Sequence, residues 1–237
     1  MNAIQTNMDN HLFSCEIFID LKKAFDTVDH KILLHKLDHY DFRGHINIWL
    51  SSYLQGRSQT TQIGPHISKR LDSLCGVSQG SVLGPLLFLL YINDIQESSD
   101  KFSFYLFADD ANILYSDKNL KLLELSVNQE LNNVYDWLTA NKLTLNTKKS
   151  NFVVFCPPQR KLTYQPRIVI FDSNQNKKVA LEHKDQVKHL GILIDKNLSW
   201  KHHIDHIAIK VSRTVGLLTK LRHFLPTHTL LIYTKLL

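Results

Sequence analysis

Asp20 closes an apolar run, Cys15-Glu16-Ile17-Phe18-Ile19, and Asp109-Asp110 closes another that begins at Phe102. A carboxylate at the end of a buried strand is costly to desolvate unless a cation or hydrogen-bond donors compensate it. Adjacent carboxylates also repel one another, and a cation relieves that repulsion. Aspartate is common in tight turns for backbone reasons alone, so Asp109-Asp110 in isolation carries little. The shared pattern carries more: if the two strands are neighbours in one sheet, three carboxylates converge. Such all-oxygen ligands suit Mg²⁺, which keeps waters and pairs one or two carboxylates with substrate phosphates. Two ions about 3.5–4 Å apart serve in-line phosphoryl transfer.

A third segment, Cys75-Gly76-Val77-Ser78-Gln79-Gly80-Ser81-Val82-Leu83-Gly84-Pro85, sets three glycines in a loop opening a helix. Glycine allows a base or backbone to approach closely, and a helix N-terminus favours phosphate. No lysine follows the second glycine, so this is not a P-loop.

The elements that must position these residues follow from periodicity. Cys15 to Asp20 reads as a buried strand, and Val28 to Tyr40 as a helix with Ile32, Leu33 and Leu37 on one face. Asn47 to Gln55 reads as a helix stopped by Gly56, and Arg57 to Leu74 as two strands around Gly64-Pro65. Gln79 to Asp94 predicts a buried helix. Phe102 to Phe107 and Ala111 to Tyr115 predict a hairpin with both acids at its tip. Leu122 to Leu138 is amphipathic at helical spacing, as is His202 to His223, with Ile204, Ile207, Ala208, Val211, Val215, Leu218 and Leu221 facing one way. Asn151 to Cys156, Arg167 to Asp172, Val179 to Glu182 and Leu190 to Ile194 read as further strands. Hairpin-linked strands without regular βαβ alternation predict an α+β fold with an antiparallel sheet packed on helices.

The 237 residues, 43% hydrophobic and 21% charged, suffice for one domain and part of another and exclude a disordered class. The apolar stretch Val82 to Ile92 is too short to span a bilayer, and Met1 to Ile19 lacks a signal-peptide pattern. An intracellular protein, nuclear or cytoplasmic and without a membrane partner, is expected. Cys15, Cys75 and Cys156 are odd in number and far apart, which predicts buried reduced thiols. Net charge is +6, and from Trp200 onward six basic side chains face Asp205 alone, a footprint suited to a phosphate backbone.

Phe18-Ile19-Asp20-Leu21-Lys22-Lys23-Ala24-Phe25-Asp26-Thr27-Val28-Asp29-His30 resembles motif A of reverse transcriptases from non-LTR, LINE-type retrotransposons of the jockey kind. Ser52-Tyr53-Leu54-Gln55-Gly56-Arg57-Ser58-Gln59 is similar to the segment that follows motif A. Gly76 to Pro85 resembles motif B, extended by Tyr91-Ile92-Asn93-Asp94. Phe107-Ala108-Asp109-Asp110 resembles motif C, Asn146-Thr147-Lys148-Lys149-Ser150 motif D, and His189-Leu190-Gly191-Ile192 motif E. Six motifs stand in family order and at family spacing over nearly the whole chain.

The resemblance implies a polymerase palm over residues 1–196, with a residual fingers-side segment at 41–74, and the start of a basic, helical thumb over 197–237. It implies RNA-directed DNA polymerase activity on an RNA template, a DNA primer and dNTPs. Asp20, Asp109 and Asp110 would hold two Mg²⁺ ions, with Mn²⁺ as a substitute. Lys149, or its neighbour Lys148, would meet the leaving pyrophosphate. Phe25 would lie under the sugar as a steric gate, while Gln79 and Gly80 would contact the nascent base pair. Leu190-Gly191 would form the primer grip. Ser78 stands where the family usually has proline, and a serine there can cap the helix instead. Ala111-Asn112 follows Phe107-Ala108-Asp109-Asp110 where a threonine is more usual, with little consequence expected. Set against the family, the fingers before motif A, the thumb beyond Leu237, the endonuclease and a zinc knuckle are expected to be missing. That leaves a catalytically silent remnant with weak nucleic-acid binding as the alternative; a nucleotide cyclase is a third, lacking the Gln79-Gly80 loop and Phe25.

Overall fold

The computed structural model describes residues 1–157, 159, 160, 162, 164–173, 175–222, 224 and 226. Helix α1 (Asn2–Asp9) buries Ile4 and Met8 and leads into β1 (Phe13–Ile19), seven consecutive buried residues. After a 3-10 turn at Ala24–Asp26 come α2 (His30–His39) and α3 (His45–Leu54). Asp29 caps α2, accepting from the N–H groups of Lys31 (2.9 Å) and Ile32 (3.1 Å), and the Lys142 ammonium at 2.6 Å holds its carboxyl below the usual carboxylate range. Residues 57–74 form nested ribbons: β2 (Ser58–Gln59) pairs with β5 (Leu71–Asp72) around β3 (Gln62–Ile63) and β4 (His66–Ile67). The turn falls at Gly64-Pro65, where the sequence puts it.

Helix α4 (Leu83–Ile92) begins later than its apolar run suggests, because Gln79-Gly80 is a turn with Gly80 at φ +80°. It is also not buried all round: Leu87, Phe88, Tyr91 and Ile92 face the core while Leu86 and Leu89 are exposed. The Tyr91-Ile92-Asn93-Asp94 stretch acts as a structural tie. Tyr91 donates to the Asn141 carbonyl at 2.6 Å, and Asp94 pairs with Lys36, whose ammonium lies over the Tyr91 and Trp137 rings.

Strands β6 (Ser103–Phe107) and β7 (Asp110–Asp117) form a hairpin, followed by α5 (Leu120–Ala140) and β8 (Asn151–Phe155). Leu123, Val127, Leu131, Val134 and Leu138 of α5 are at most 1% exposed. Each such side chain removed from water contributes about 1.5–3 kcal/mol. A small pair, β9 (Val169–Asp172) and β10 (Lys177–Ala180), packs on α5, and β11 (Glu182–His183) joins β8 in parallel. The main sheet runs β11-β8-β1-β7-β6, antiparallel except for that last pairing. The α+β palm expected from the sequence is the fold of the chain.

Two compact units part between Lys184 and Asp185, whereas the sequence reading draws its boundary at 196/197. The second unit holds the hairpin of β12 (Gln186–His189) and β13 (Ile192–Asp195) and helix α6 (Lys201–Leu221). Leu190-Gly191 is the hairpin's turn, both residues at positive φ, rather than the start of a strand. The apolar stripe of α6 has helical spacing, but no residue of the helix is buried. The expected end of that helix, His223, and positions 227–237 lie outside the described residues. Among the described residues, no helix is long and apolar enough to cross a membrane. Cys15 and Cys156 are buried as expected, but Cys75 is exposed on its glycine loop.

Candidate active site

β1 and β7 run antiparallel with Ile19 opposite Ala111 as the last pair, so Asp20 leaves the strand alongside Asp110. On the other side of β7, Phe107 pairs with Asp110, which leaves Ala108-Asp109 as the two-residue turn. The tip therefore carries Asp109 alone, and Asp110 is the first residue of β7. Ala108 takes φ +52°, a left-handed conformation that costs a side-chain-bearing residue about 1–2 kcal/mol. Asp20 is half-buried, and Asp109 and Asp110 are exposed.

None of the three carboxylates has a hydrogen-bond or ion-pair partner among the described residues. Three acids at adjoining strand ends with no lysine or arginine against them are a donor set whose chemistry fits a hard divalent cation. They are not gathered about one point: among the described residues no group of three His, Cys, Asp or Glu side chains is arranged to hold a metal ion. What the fold supplies is the strand register.

Beyond β1 the chain is held by residues 144–150. The Asp20 N–H donates to Ser150 Oγ (3.1 Å) and its carbonyl accepts from the Asn146 N–H (2.8 Å). Leu21 bridges Leu145, and the Lys22 N–H reaches the Thr144 carbonyl at 2.8 Å. Lys148 and Lys149 are exposed on this same turn.

The glycine loop is sewn to the segment after Asp20. The Val77 N–H donates to the Phe25 carbonyl and the Gly76 N–H to the Val28 carbonyl, both at 2.8 Å. His30 Nε2 lies 2.7 Å from the Gly76 carbonyl, and Gln79 Nε2 donates to Asp26 Oδ1 at 3.0 Å. Gly76 is required there: at φ +86° a Cβ would sit 2.8 Å from the Asp26 carbonyl oxygen. The half-buried Phe25 ring lies 4.8 Å from that of Phe88. Asp26, Arg57, Gln59, Ser78 and Gln79 share the walls of an open cleft of about 730 Å³. Ser78 accepts from Arg57 at 3.0 Å and does not cap α4. Ser81 serves the helix start instead, accepting from the Gly84 N–H at 2.9 Å and donating to the Ser78 carbonyl at 2.7 Å.

Asn112 is not inconsequential. It is buried on the face of the sheet that carries Asp110, and its Nδ2 donates to Glu16 Oε1 at 3.1 Å. Glu16 is 7% exposed; burial raises its carboxyl above the usual range, partly offset by the Asn112 hydrogen bond. Burial, with the neighbouring Glu16, also pushes the Cys15 thiol up. The sequence gives no role to Glu16, and none of its own to Asn112 or Ser150, because buried polar side chains carry no periodic signature.

Residues 4–194 match the family model described as reverse transcriptase (RNA-dependent DNA polymerase). The whole chain is similar, at 28% identity over 245 residues, to the probable RNA-directed DNA polymerase from transposon X-element of Drosophila melanogaster, 26% of which it covers. Over 84% of its length it is 24% identical to the RNA-directed DNA polymerase from mobile element jockey of the same fly, covering 22% of that protein. Over 85% of its length it is 26% identical to the Pol polyprotein from type-1 retrotransposable element R1 of Bradysia coprophila, covering 19%. The chain thus spans about a quarter or less of these curated relatives. In fold it is similar to Candida albicans telomerase, with a TM-score of 0.52 and 15% identity over 84% of this chain and 32% of that one.

Proposed function

The chain belongs to the reverse transcriptases, of the LINE-type, non-LTR kind, and from that premise we propose that it is the palm of an RNA-directed DNA polymerase. The proposed palm covers 1–196, with 41–74 on its fingers side, and the thumb starts at 197. The substrates are a dNTP and a DNA primer 3′-OH on an RNA template. Reverse transcriptases use divalent metal ions; here Asp20, Asp109 and Asp110 would hold two Mg²⁺, for which Mn²⁺ can substitute. When bound, these ions supply charge neutralisation at the reacting phosphate.

The chain's own residues do the rest by positioning and electrostatics. Lys149 meets the leaving pyrophosphate as a cation and proton donor. The Phe25 ring lies beneath the sugar and leaves no room for a 2′-OH. Gln79 and Gly80 touch the nascent base pair from a loop that five contacts tie to Phe25–His30. The Leu190-Gly191 turn guides the primer, and the basic helix after Trp200 follows the duplex by its phosphates rather than its sequence.

The observation that carries this reading is the register Ile19 to Ala111 together with Phe107 to Asp110. Primer extension on poly(rA)·oligo(dT) tests it. Incorporation should require Mg²⁺ or Mn²⁺ and fall by about 10²–10³-fold in Asp109→Asn, the scale of removing one transition-state stabilising group. No incorporation at any concentration of either ion would leave only a silent nucleic-acid binder.

A further inference from the structure

We propose that Ser150 is a positioning residue for Asp20, fixing the direction in which that carboxylate leaves the sheet; the proposal rests on the catalytic reading above. Once the chain passes Ile19 the β1–β7 ladder ends, and nothing in that ladder holds the next peptide. The two backbone groups of Asp20 are instead taken by one short turn. Ser150 Oγ accepts from the Asp20 N–H at 3.1 Å, and the Asn146 N–H donates to the Asp20 carbonyl at 2.8 Å. The same hydroxyl donates to the Asn146 carbonyl at 3.0 Å, so one side chain both accepts and donates and closes the clip on itself. Ser150 is 1% exposed, so water does not replace it. Fixing both peptide planes about Asp20 fixes its Cα–Cβ direction, and with it the reach of a carboxylate that has no side-chain partner of its own.

The clip has a second consequence. Lys149 precedes Ser150 on the turn, and Asn151 Nδ2 donates to the Lys149 carbonyl at 2.9 Å. The backbone that presents the lysine to the leaving pyrophosphate is thus the backbone that holds Asp20. The direction of the Asp20 carboxylate and the placement of Lys149 are thereby tied to one turn.

Binding of Mn²⁺ to the full chain, read from the electron-paramagnetic signal of free Mn²⁺, tests the clip without relying on turnover. Asp20→Asn should lose most of the binding. Ser150→Ala should weaken it about tenfold, the lower end of what removing an outer partner of a metal ligand costs. Ser150→Thr, which keeps the hydroxyl, should bind as the wild type does. If Ser150→Ala does not fold, Ser150→Cys, with a poorer acceptor, takes its place and should be weakened alike. Wild-type affinity in the folded Ala or Cys variant, with Asp20→Asn impaired, would overturn the clip alone, as would equal losses in the Thr and Ala variants. Wild-type affinity in Asp20→Asn would overturn the catalytic reading, and the clip with it.

Discussion

Glu16 shares its face of β1 with Phe18 and Asp20, and with Asn112 it makes a buried cross-strand bond just behind the acids. Its raised carboxyl has a definite pH signature. A group whose pKa is higher folded than unfolded stabilises the fold fully below the unfolded value, about 4.3 for glutamate, and loses that contribution as pH rises through the folded one. Glu16→Gln keeps the shape without the buried charge. Thermal unfolding should find the variant more stable than the wild type at about pH 8 and close to it at about pH 4, since glutamate is largely protonated there. Parallel profiles for the two proteins would contradict this. At this scale the place of Asp20 just past a buried strand and of Asp109 in a hairpin turn was legible, because an acid that closes an apolar run marks where the run ends. Glu16 to Asn112 and Asp20 to Ser150 were not: they join residues 96 and 130 positions apart, and no local pattern encodes such a contact.

The elements were legible where one period dominates. α2, α3, α5 and α6 follow their apolar spacing, and β1, β6, β7 and β8 their apolar runs. The misses have physical causes. The start of α4 is displaced by a glycine turn inside an apolar stretch, and Leu190 sits in a left-handed turn that its side chain does not suggest. The apolar face of α6 stays exposed, since amphipathicity shows that a helix has an apolar face and not what covers it. The glycine loop gives a prediction at this scale. Gly80→Ala meets no atom within 4 Å but must hold φ +80°, a strain of about 1–2 kcal/mol. Gly76→Ala bears the same strain at φ +86° and also drives its Cβ to 2.8 Å from the Asp26 carbonyl oxygen. Urea unfolding should therefore rank Gly76→Ala clearly below Gly80→Ala in stability. Equal midpoints would show that the loop is not seated on Asp26.

At the scale of the whole molecule, the fold class was legible because hairpins and helices alternate without βαβ units. The strand order was not, because nothing in β1 says that β7 and β8 will flank it. That order turns two distant acidic segments into one strand edge, and the catalytic account depends on it. Anomalous X-ray scattering from crystals of the chain grown with Mn²⁺, primer–template and a non-hydrolysable dNTP tests it most directly. The account predicts manganese peaks coordinated by oxygens of both Asp20 and Asp109, at about 2.0–2.2 Å, close to the Mg²⁺ distances they replace. Manganese held by only one of the two strands, or bound away from both, would contradict it.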